Sequence, residues 1–249
     1  MSTPPKFYVN HMFETTSYRA NWTPDLPVVP GDIGVLEYGQ FVLTSSLAKQ
    51  GLPFEVREST GSLNLDYNSQ NTAVRTINAN SGIIPVSGVP VQANVEVTFK
   101  KDVGVLFQFS GSKRTIISNL DELGDTILER YNNGVWKKEW VIITDVITTD
   151  NTYIIISTTA DNTLQLACSL PLGGDNNLAL PGIKVGVVNE SGSSIKLLGS
   201  NHLTPLYNVR GVQKPFLGNP VFRLSEAIRN PDFKALEELP FDAKELVTE

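Results

Sequence analysis

Few side chains in this sequence are equipped for covalent or metal chemistry, and those few stand alone. Cys168 is the single cysteine, and His11 and His202 are the only two histidines. That set is too small for a four-ligand zinc site, a disulfide frame or a dithiol redox pair. Cys168 alternates along the chain with Leu164 and Leu166, the setting of a small buried hydrophobe more than of a nucleophilic thiolate. His202 sits in the loop-like stretch Gly199-Ser200-Asn201-His202-Leu203-Thr204-Pro205, and no motif surrounds His11. The sequence holds no G-x-S-x-G, Walker A or H-E-x-x-H pattern. Gly31-Asp32-Ile33-Gly34 is too short for a phosphate cradle and reads as the entry to a strand, and Gly173-Gly174-Asp175 reads as a loop. Asp121 and Glu122 open a helix, where carboxylates favour the dipole. These residues support no enzyme, and they imply no catalytic residue, metal or cofactor.

The basic dipeptides are better placed for binding. Lys100-Lys101, Lys113-Arg114 and Lys137-Lys138 fall at strand ends and just beyond a helix. Gathered on one rim, they would meet anionic lipid headgroups at about 1 kcal/mol each. Solvated turn lysines that keep strand ends soluble are the second reading, and residue type alone does not choose. Nucleic acid is disfavoured as a partner, because 20 Lys+Arg against 26 Asp+Glu leave a net charge of −6 without a basic footprint. Residues 223–249 hold four basic and seven acidic side chains, so half of that negative balance lies in the tail. The N-terminus lacks the pattern of a signal peptide, and no run approaches the roughly 18 apolar residues of a spanning helix. A soluble, cytoplasmic chain is the expectation.

The elements that must position these groups are mostly strands. Residues 1–32, with Pro4, Pro5, Pro24, Pro27 and Pro30 among Phe7, Tyr8, Phe13, Tyr18 and Trp22, read as an irregular arm; a helix over 7–20 is only weakly patterned. Ile33–Glu37 and Gln40–Thr44 around Tyr38-Gly39 form a hairpin signal. Residues 56–94 read either as thin strands or as a mobile surface loop, with Val86, Val89 and Val91 among the strand positions. Val95, Val97 and Phe99 alternate with Glu96, Thr98 and Lys100, and Val105, Phe107 and Phe109 follow Lys101-Asp102, which predicts an amphipathic antiparallel hairpin over 95–109. Leu120, Leu123, Ile127, Leu128 and Tyr131 form one helical stripe over 119–132, opened by an Asn119/Glu122 capping box and stopped at Asn132-Asn133-Gly134. Strands resume at 140–148, 153–159, 163–169, 183–189 and 194–198, with turns at Asp150-Asn151, Asp161-Asn162 and Ser191-Gly192. The run Ile154-Ile155-Ile156 predicts a strand buried on both faces. Asn230-Pro231 opens a short C-terminal helix that ends before Pro240.

This order of elements resembles the pore-forming domain of gasdermins, over roughly residues 60–210. EWVIITDVITTD followed by YIIISTTADNTLQLACSLP is similar to the strand-and-hairpin passage that follows the central helix in that family. The length is most similar to that of the short fungal gasdermin-like regulators of cell death. The resemblance implies an α+β fold: a twisted, mainly antiparallel β-sheet core with long amphipathic hairpins, a central amphipathic helix and short C-terminal helices. It also implies a pore-forming domain over 1–222 with an irregular N-terminal arm, and an acidic helical tail over 223–249. The implied partners are acidic membrane phospholipids and copies of the chain itself, with a partner variant as a further one; the lipid-binding residues would be Lys100, Lys101, Lys113, Arg114, Lys137 and Lys138. The implied membrane-inserting strands are 63–77 with 91–109 and 153–169 with 183–198. Their apolar positions are Val95, Val97, Phe99, Val105, Phe107, Phe109, Ile154, Ile156, Leu164, Leu166, Val185 and Val187. The protein would be cytoplasmic when soluble and reach the plasma membrane on activation, causing cell death. The sequence departs from the family in having no N-terminal acylated Cys and no protease linker before a repressor domain, so lipidation and cleavage activation are not implied. The competing expectation, from another class, is a soluble β-rich binding or assembly module with no membrane step.

Overall fold

A computed structural model describes residues 6–24, 26–37, 39–69, 73–78, 93–100, 104–157, 159–169, 185–191, 194–213 and 221–224. The described fold is α+β and mainly antiparallel. In chain order it runs α1 (Lys6–Thr16), β1 (Arg19–Ala20), β2 (Asp32–Glu37), β3 (Gln40–Ser46), β4 (Val56–Glu58), β5 (Leu63–Asn68), β6 (Ala73–Asn78), β7 (Ala93–Phe99) and β8 (Gly104–Ile117). It continues with α2 (Leu120–Asn132), β9 (Val141–Ser157), β10 (Asn162–Cys168), β11 (Val185–Ser191), β12 (Ser194–Gln213) and β13 (Val221–Leu224). Nine strands form one sheet in the order β1-β12-β9-β2-β3, with β13 on β12, β8 on β9, and β4 and β5 on β8. The other sheet is β11-β10-β7-β6.

The chain divides into two compact units, one of residues 1–60, 113–148 and 204–249, the other of residues 61–112 and 149–203. In the first, the apolar stripe of α2 is buried as its period dictates: Leu123 and Ile127 join Ile33, Leu47, Leu52, Ile117, Trp136, Ile142 and Val212 in one core. The helix stops where expected, with the Asn133 and Gly134 amides donating to the carbonyls of Glu129 and Tyr131. Its start differs from the expected capping box. Asn119 makes no side-chain cap bond; its Oδ1 accepts the Glu55 amide at 2.9 Å, so the side chain ties the helix entry to the segment before β4. The expected β2–β3 hairpin is present, and Gly39 takes a φ of +74° at its turn. The irregular arm contains α1, which buries Tyr8, Val9 and Met12 on one face.

The second unit is a face-to-face sandwich. Val95, Val97 and Phe99 of β7 and Leu164, Leu166 and Cys168 of β10 pack on Leu106 of β8 and on Tyr153 and Ile155 of β9. This corrects the hairpin expected over 95–109. β7 pairs with β6 and β10, whereas β8 pairs with β4, β5 and β9, so the two segments lie in different sheets. The physical reason is that Gly104–Ser110 is buried at every position, which a two-stranded ribbon with one wet face does not provide. The turn expected at Asp150-Asn151 is likewise absent, because β9 runs through it. Thr149 and Thr152 bond each other's hydroxyls at 2.7 Å, and Gly111 of β8, at φ +66°, leaves room for the Asp150 carboxylate where a Cβ would collide. Ile154, Ile155 and Ile156 are fully buried, as their run predicts. The C-terminal helix, the 79–92 stretch, Gly173–Asp175, Gly192 of the Ser191-Gly192 turn and Lys101 lie outside the described residues. Residues 222 and 223, where the tail was expected to begin, fall inside β13, which pairs with β12.

Candidate functional site

Two hairpins, β6–β7 and β10–β11, lie side by side and are joined into one sheet by a seven-residue β7–β10 ladder running from Asn162↔Phe99 to Cys168↔Ala93. Strand directions alternate throughout. Alternation of side chains then sorts this sheet into two chemistries. One face carries Val95, Val97, Phe99, Leu164 and Leu166, each at most 1% exposed. The other carries polar cross-strand pairs: Gln165 donates to Glu96 Oε2 at 3.4 Å, the Thr98 and Thr163 hydroxyls lie 3.5 Å apart, and the Thr163 amide donates to Ser191 Oγ at 3.1 Å. A bulge at Gln165/Leu166 adds one residue to β11. β6 and β11 each pair with a single strand among the described residues, so each presents an edge.

Seven of the twelve apolar positions expected to insert lie on this sheet: Val95, Val97, Phe99, Leu164, Leu166, Val185 and Val187. Val185 is half-buried against the core and Val187 is 38% exposed on the edge strand. The other five, Val105, Phe107 and Phe109 of β8 and Ile154 and Ile156 of β9, belong to the nine-stranded sheet. The expected pairs thus narrow. Within 63–77, β5 pairs with β8 and only β6 joins β7; within 153–169, β9 is not a partner of β10. Alternation in the sequence identifies faces but does not name partners, so this regrouping had no local signal.

The basic residues lie on separate segments. Lys100 is exposed after β7. Lys113 makes a 2.9 Å ion pair with Glu58, both side chains more than half exposed, an arrangement worth little in water. Arg114 is engaged more firmly: its Nε and Nη2 reach both carboxylate oxygens of buried Asp145 at 2.7–3.2 Å, and the Tyr18 hydroxyl donates to Asp145 Oδ2 at 2.9 Å. Asp145 is 5% exposed, so the planar guanidinium fork and the phenol together satisfy a carboxylate withdrawn from water. Lys137 lies over the Trp140 ring at 5.4 Å, and Trp140 meets Trp136 edge-on. Lys138 is exposed beside it. The Tyr18–Asp145–Arg114 group joins residues 127 and 31 positions apart, a separation no sequence pattern reveals.

Cys168 is buried in β10 and His202 is exposed in β12 at φ +54°. No group of three or more His, Cys, Asp or Glu that would hold a metal occurs among the described residues. No helix among them is long and apolar enough to cross a membrane, which leaves strands untouched.

No protein-family model matches the chain, and no curated protein matches it. Among solved structures, one described as the "Cryo-EM structure of the Gasdermin A3 membrane pore" is similar at 12% identity, over 96% of this chain and 100% of that chain, with a TM-score of 0.33. A superposition at that level decides nothing about fold or function.

Proposed function

We propose that this chain is a gasdermin-like membrane-permeabilising protein that binds acidic phospholipids, assembles with copies of itself and inserts β6–β7 and β10–β11 as strands of a barrel, ending in cell death. The observation that supports this reading is the two-faced, fully antiparallel sheet built from two adjacent hairpins. Hydrocarbon tolerates no unpaired backbone groups, so strands enter it only as part of a closed sheet. Such a sheet is apolar toward lipid and polar toward its lumen, with an even number of antiparallel strands. Val95, Val97, Phe99, Leu164 and Leu166 supply the first face and Glu96, Thr98, Thr163 and Gln165 the second, with four strands from each copy. In the soluble form the apolar face is covered by Leu106, Tyr153 and Ile155, and insertion exchanges that cover for lipid. The described arms are six or seven residues long, and a tilted spanning strand needs about 9–11, so the inserted form requires longer strands than the soluble one. Lys100, Lys137 and Lys138, exposed in the soluble form, are the first contacts with anionic headgroups, and Lys101, Lys113 and Arg114 complete that proposed set. The soluble form is cytoplasmic and acts at the plasma membrane.

A soluble β-rich binding module with no membrane step is the second reading. It is favoured by Arg114, which is committed to Asp145, and by the complete burial of the apolar face. Dye release from vesicles of phosphatidylcholine with and without phosphatidylserine separates the two. The proposal expects release that depends on the anionic lipid. Intact vesicles at micromolar protein, with any partner variant included, would sink it and leave the binding module.

A further inference from the structure

The stretch from α1 to β1 carries three features that work against its docked position. Tyr8 of α1 is fully buried, and its hydroxyl has no partner among the described residues, which leaves a dehydrated donor uncompensated. Arg19 of β1 is 1% exposed, so a guanidinium is withdrawn from water there, a cost it carries whatever its partners. Between them Ser17 ends the helix at φ +59°, its amide donating to the Phe13 carbonyl at 2.8 Å, in the left-handed conformation that glycine usually supplies at this position. Lifting the segment relieves all three. Its sheet bonding is thin as well, because β1 pairs with β12 over two residues, Arg19↔Tyr207 and Ala20↔Leu206. The residues that follow are fixed differently. The Asn21 amide donates to the Pro205 carbonyl at 2.7 Å, the Thr204 amide to the Pro24 carbonyl at 3.0 Å, and the Thr204 hydroxyl accepts from the Asn21 side chain and the Val28 amide. The thinly held stretch therefore has a firm end at Asn21.

Tyr18 is the strong point within it. Its hydroxyl donates to Asp145 Oδ2 of β9 at 2.9 Å, and Thr16 Oγ1, itself bonded to the Met12 carbonyl at 2.6 Å, accepts the Tyr18 amide at 3.2 Å and so fixes the tyrosine at the helix corner. Asp145 is held in turn by the Arg114 fork of β8. We infer that residues 6–20 form a strap that opens as a unit while β8, β9 and β12 stay folded, and that the Tyr18–Asp145–Arg114 group is the latch that sets how often it opens. With the strap closed, Asp145 is 5% exposed, and a carboxylate so withdrawn needs the charged donor and the phenol together. Departure of the phenol lets water reach Oδ2, and the Arg114–Asp145 pair becomes a wet surface pair of small worth. Arg114, whose side chain is already 53% exposed, can then turn to another oxyanion. The closed strap and a phosphate group thus compete for one guanidinium, and by linkage a phosphate on Arg114 favours the open strap. That last step rests on the lipid-binding part of the proposed function; the latch does not.

Amide hydrogen exchange of the full chain tests both. In wild type the helix-bonded amides of α1, Asn10–Thr16, are expected to exchange at least about tenfold faster than the slowest amides of β9, with little dependence on urea, because they open without global unfolding. Tyr18→Phe removes a bond to a charged group, and Arg114→Met removes the counter-charge from a strand remote from α1 in sequence. Each is expected to speed α1 exchange a further tenfold or about that. Arg114→Lys keeps the charge without the fork and should give a smaller rise, which serves if Arg114→Met does not fold. An Arg114 that merely braced β8 on β9 would leave α1 exchange unchanged, since the open and closed straps would lose the same contact. Wild-type α1 amides as slow as the slowest of β9, or folded Arg114 variants with wild-type α1 exchange, overturn the latch. Dihexanoyl phosphatidylserine, dihexanoyl phosphatidylcholine and inorganic phosphate, each added below any micelle formation, test the competition. Faster α1 exchange with phosphatidylserine but not with phosphatidylcholine, abolished in Arg114→Met, upholds it for a lipid headgroup, and an equal response to inorganic phosphate assigns it to phosphate at large. A latch that answers both substitutions but none of the three compounds stands, and Arg114 then leaves the proposed lipid-binding set.

Discussion

If the four-stranded sheet has to leave its core to act, loosening that core from the other side should accelerate it. Leu106 is the side chain for this purpose. It is fully buried and packs against Val95, Val97, Phe99, Leu164 and Leu166, yet it belongs to β8 and leaves the sheet's own apolar face unchanged. Leu106→Ala removes buried methyl groups and leaves a cavity, at about 3 kcal/mol within the usual range for such sites. Equilibrium urea unfolding should report that loss as a lower midpoint with an unchanged slope. Should detachment be complete in the rate-limiting step, the same about 3 kcal/mol lowers its barrier, and dye release from anionic vesicles speeds up roughly a hundredfold. Partial detachment gives a smaller acceleration, never a slowing. Leu47→Ala is the control: Leu47 is equally buried in the core of the other unit, so it should lower stability comparably without accelerating release. A Leu106→Ala protein that is destabilised by several kcal/mol and releases dye at the wild-type rate would show that the sheet does not leave this core in or before the rate-limiting step, and would refute the reasoning.

Two further outcomes follow from buried polar groups outside the sheet. Arg114→Met strips the guanidinium from a carboxylate that stays buried, whereas Asp145→Asn leaves a half-exposed Arg114 free to turn to water. The first should therefore cost about 2–3 kcal/mol and the second about 1, with the double variant less destabilised than the sum in a double-mutant cycle by urea unfolding; equal single losses would refute the asymmetry. Tyr8 is fully buried, burial pushes its phenol well above the usual range, and its hydroxyl has no partner among the described residues. Below the unfolded phenol's pKa of about 10 both states hold the proton; above it the unfolded chain releases it first, so wild-type stability falls as pH rises past that point. Tyr8→Phe should be neutral or stabilising by up to about 1–2 kcal/mol at pH 7 and should flatten the alkaline fall, as thermal unfolding from pH 8 to 11 would record.

Helical period and strand alternation were legible in the sequence wherever one face is wet. The stripe from Leu120 to Tyr131 and the alternation from Val95 to Phe99 both bury the face they advertise. Partnership was not legible. Val105, Phe107 and Phe109 alternate as convincingly as β7 does, but the residues between them are buried too, and only the sheet to which β8 belongs explains this. Asp150-Asn151 has turn composition, and it stays extended because Gly111 opposite it gives the carboxylate space. The candidate site was legible in its apolar half. Its polar pairs depend on registers between strands as distant as those of Glu96 and Gln165, and composition holds no trace of them.

The two-residue strand β1 has a consequence for how the chain comes to be made. Arg19 and Ala20 pair with Tyr207 and Leu206, and the Asn21 amide side chain donates to Thr204, 183 residues later. At about 5–20 residues per second, roughly ten to forty seconds of synthesis separate these partners. During that interval β1, which follows α1 directly, has no β12 to pair with. The strands of the four-stranded sheet, from Ala73 to Ser191, are all polymerised before Thr204 leaves the ribosome. The sandwich is therefore the first of the two units whose strands are all present, and the N-terminal helix is among the last pieces to find its place.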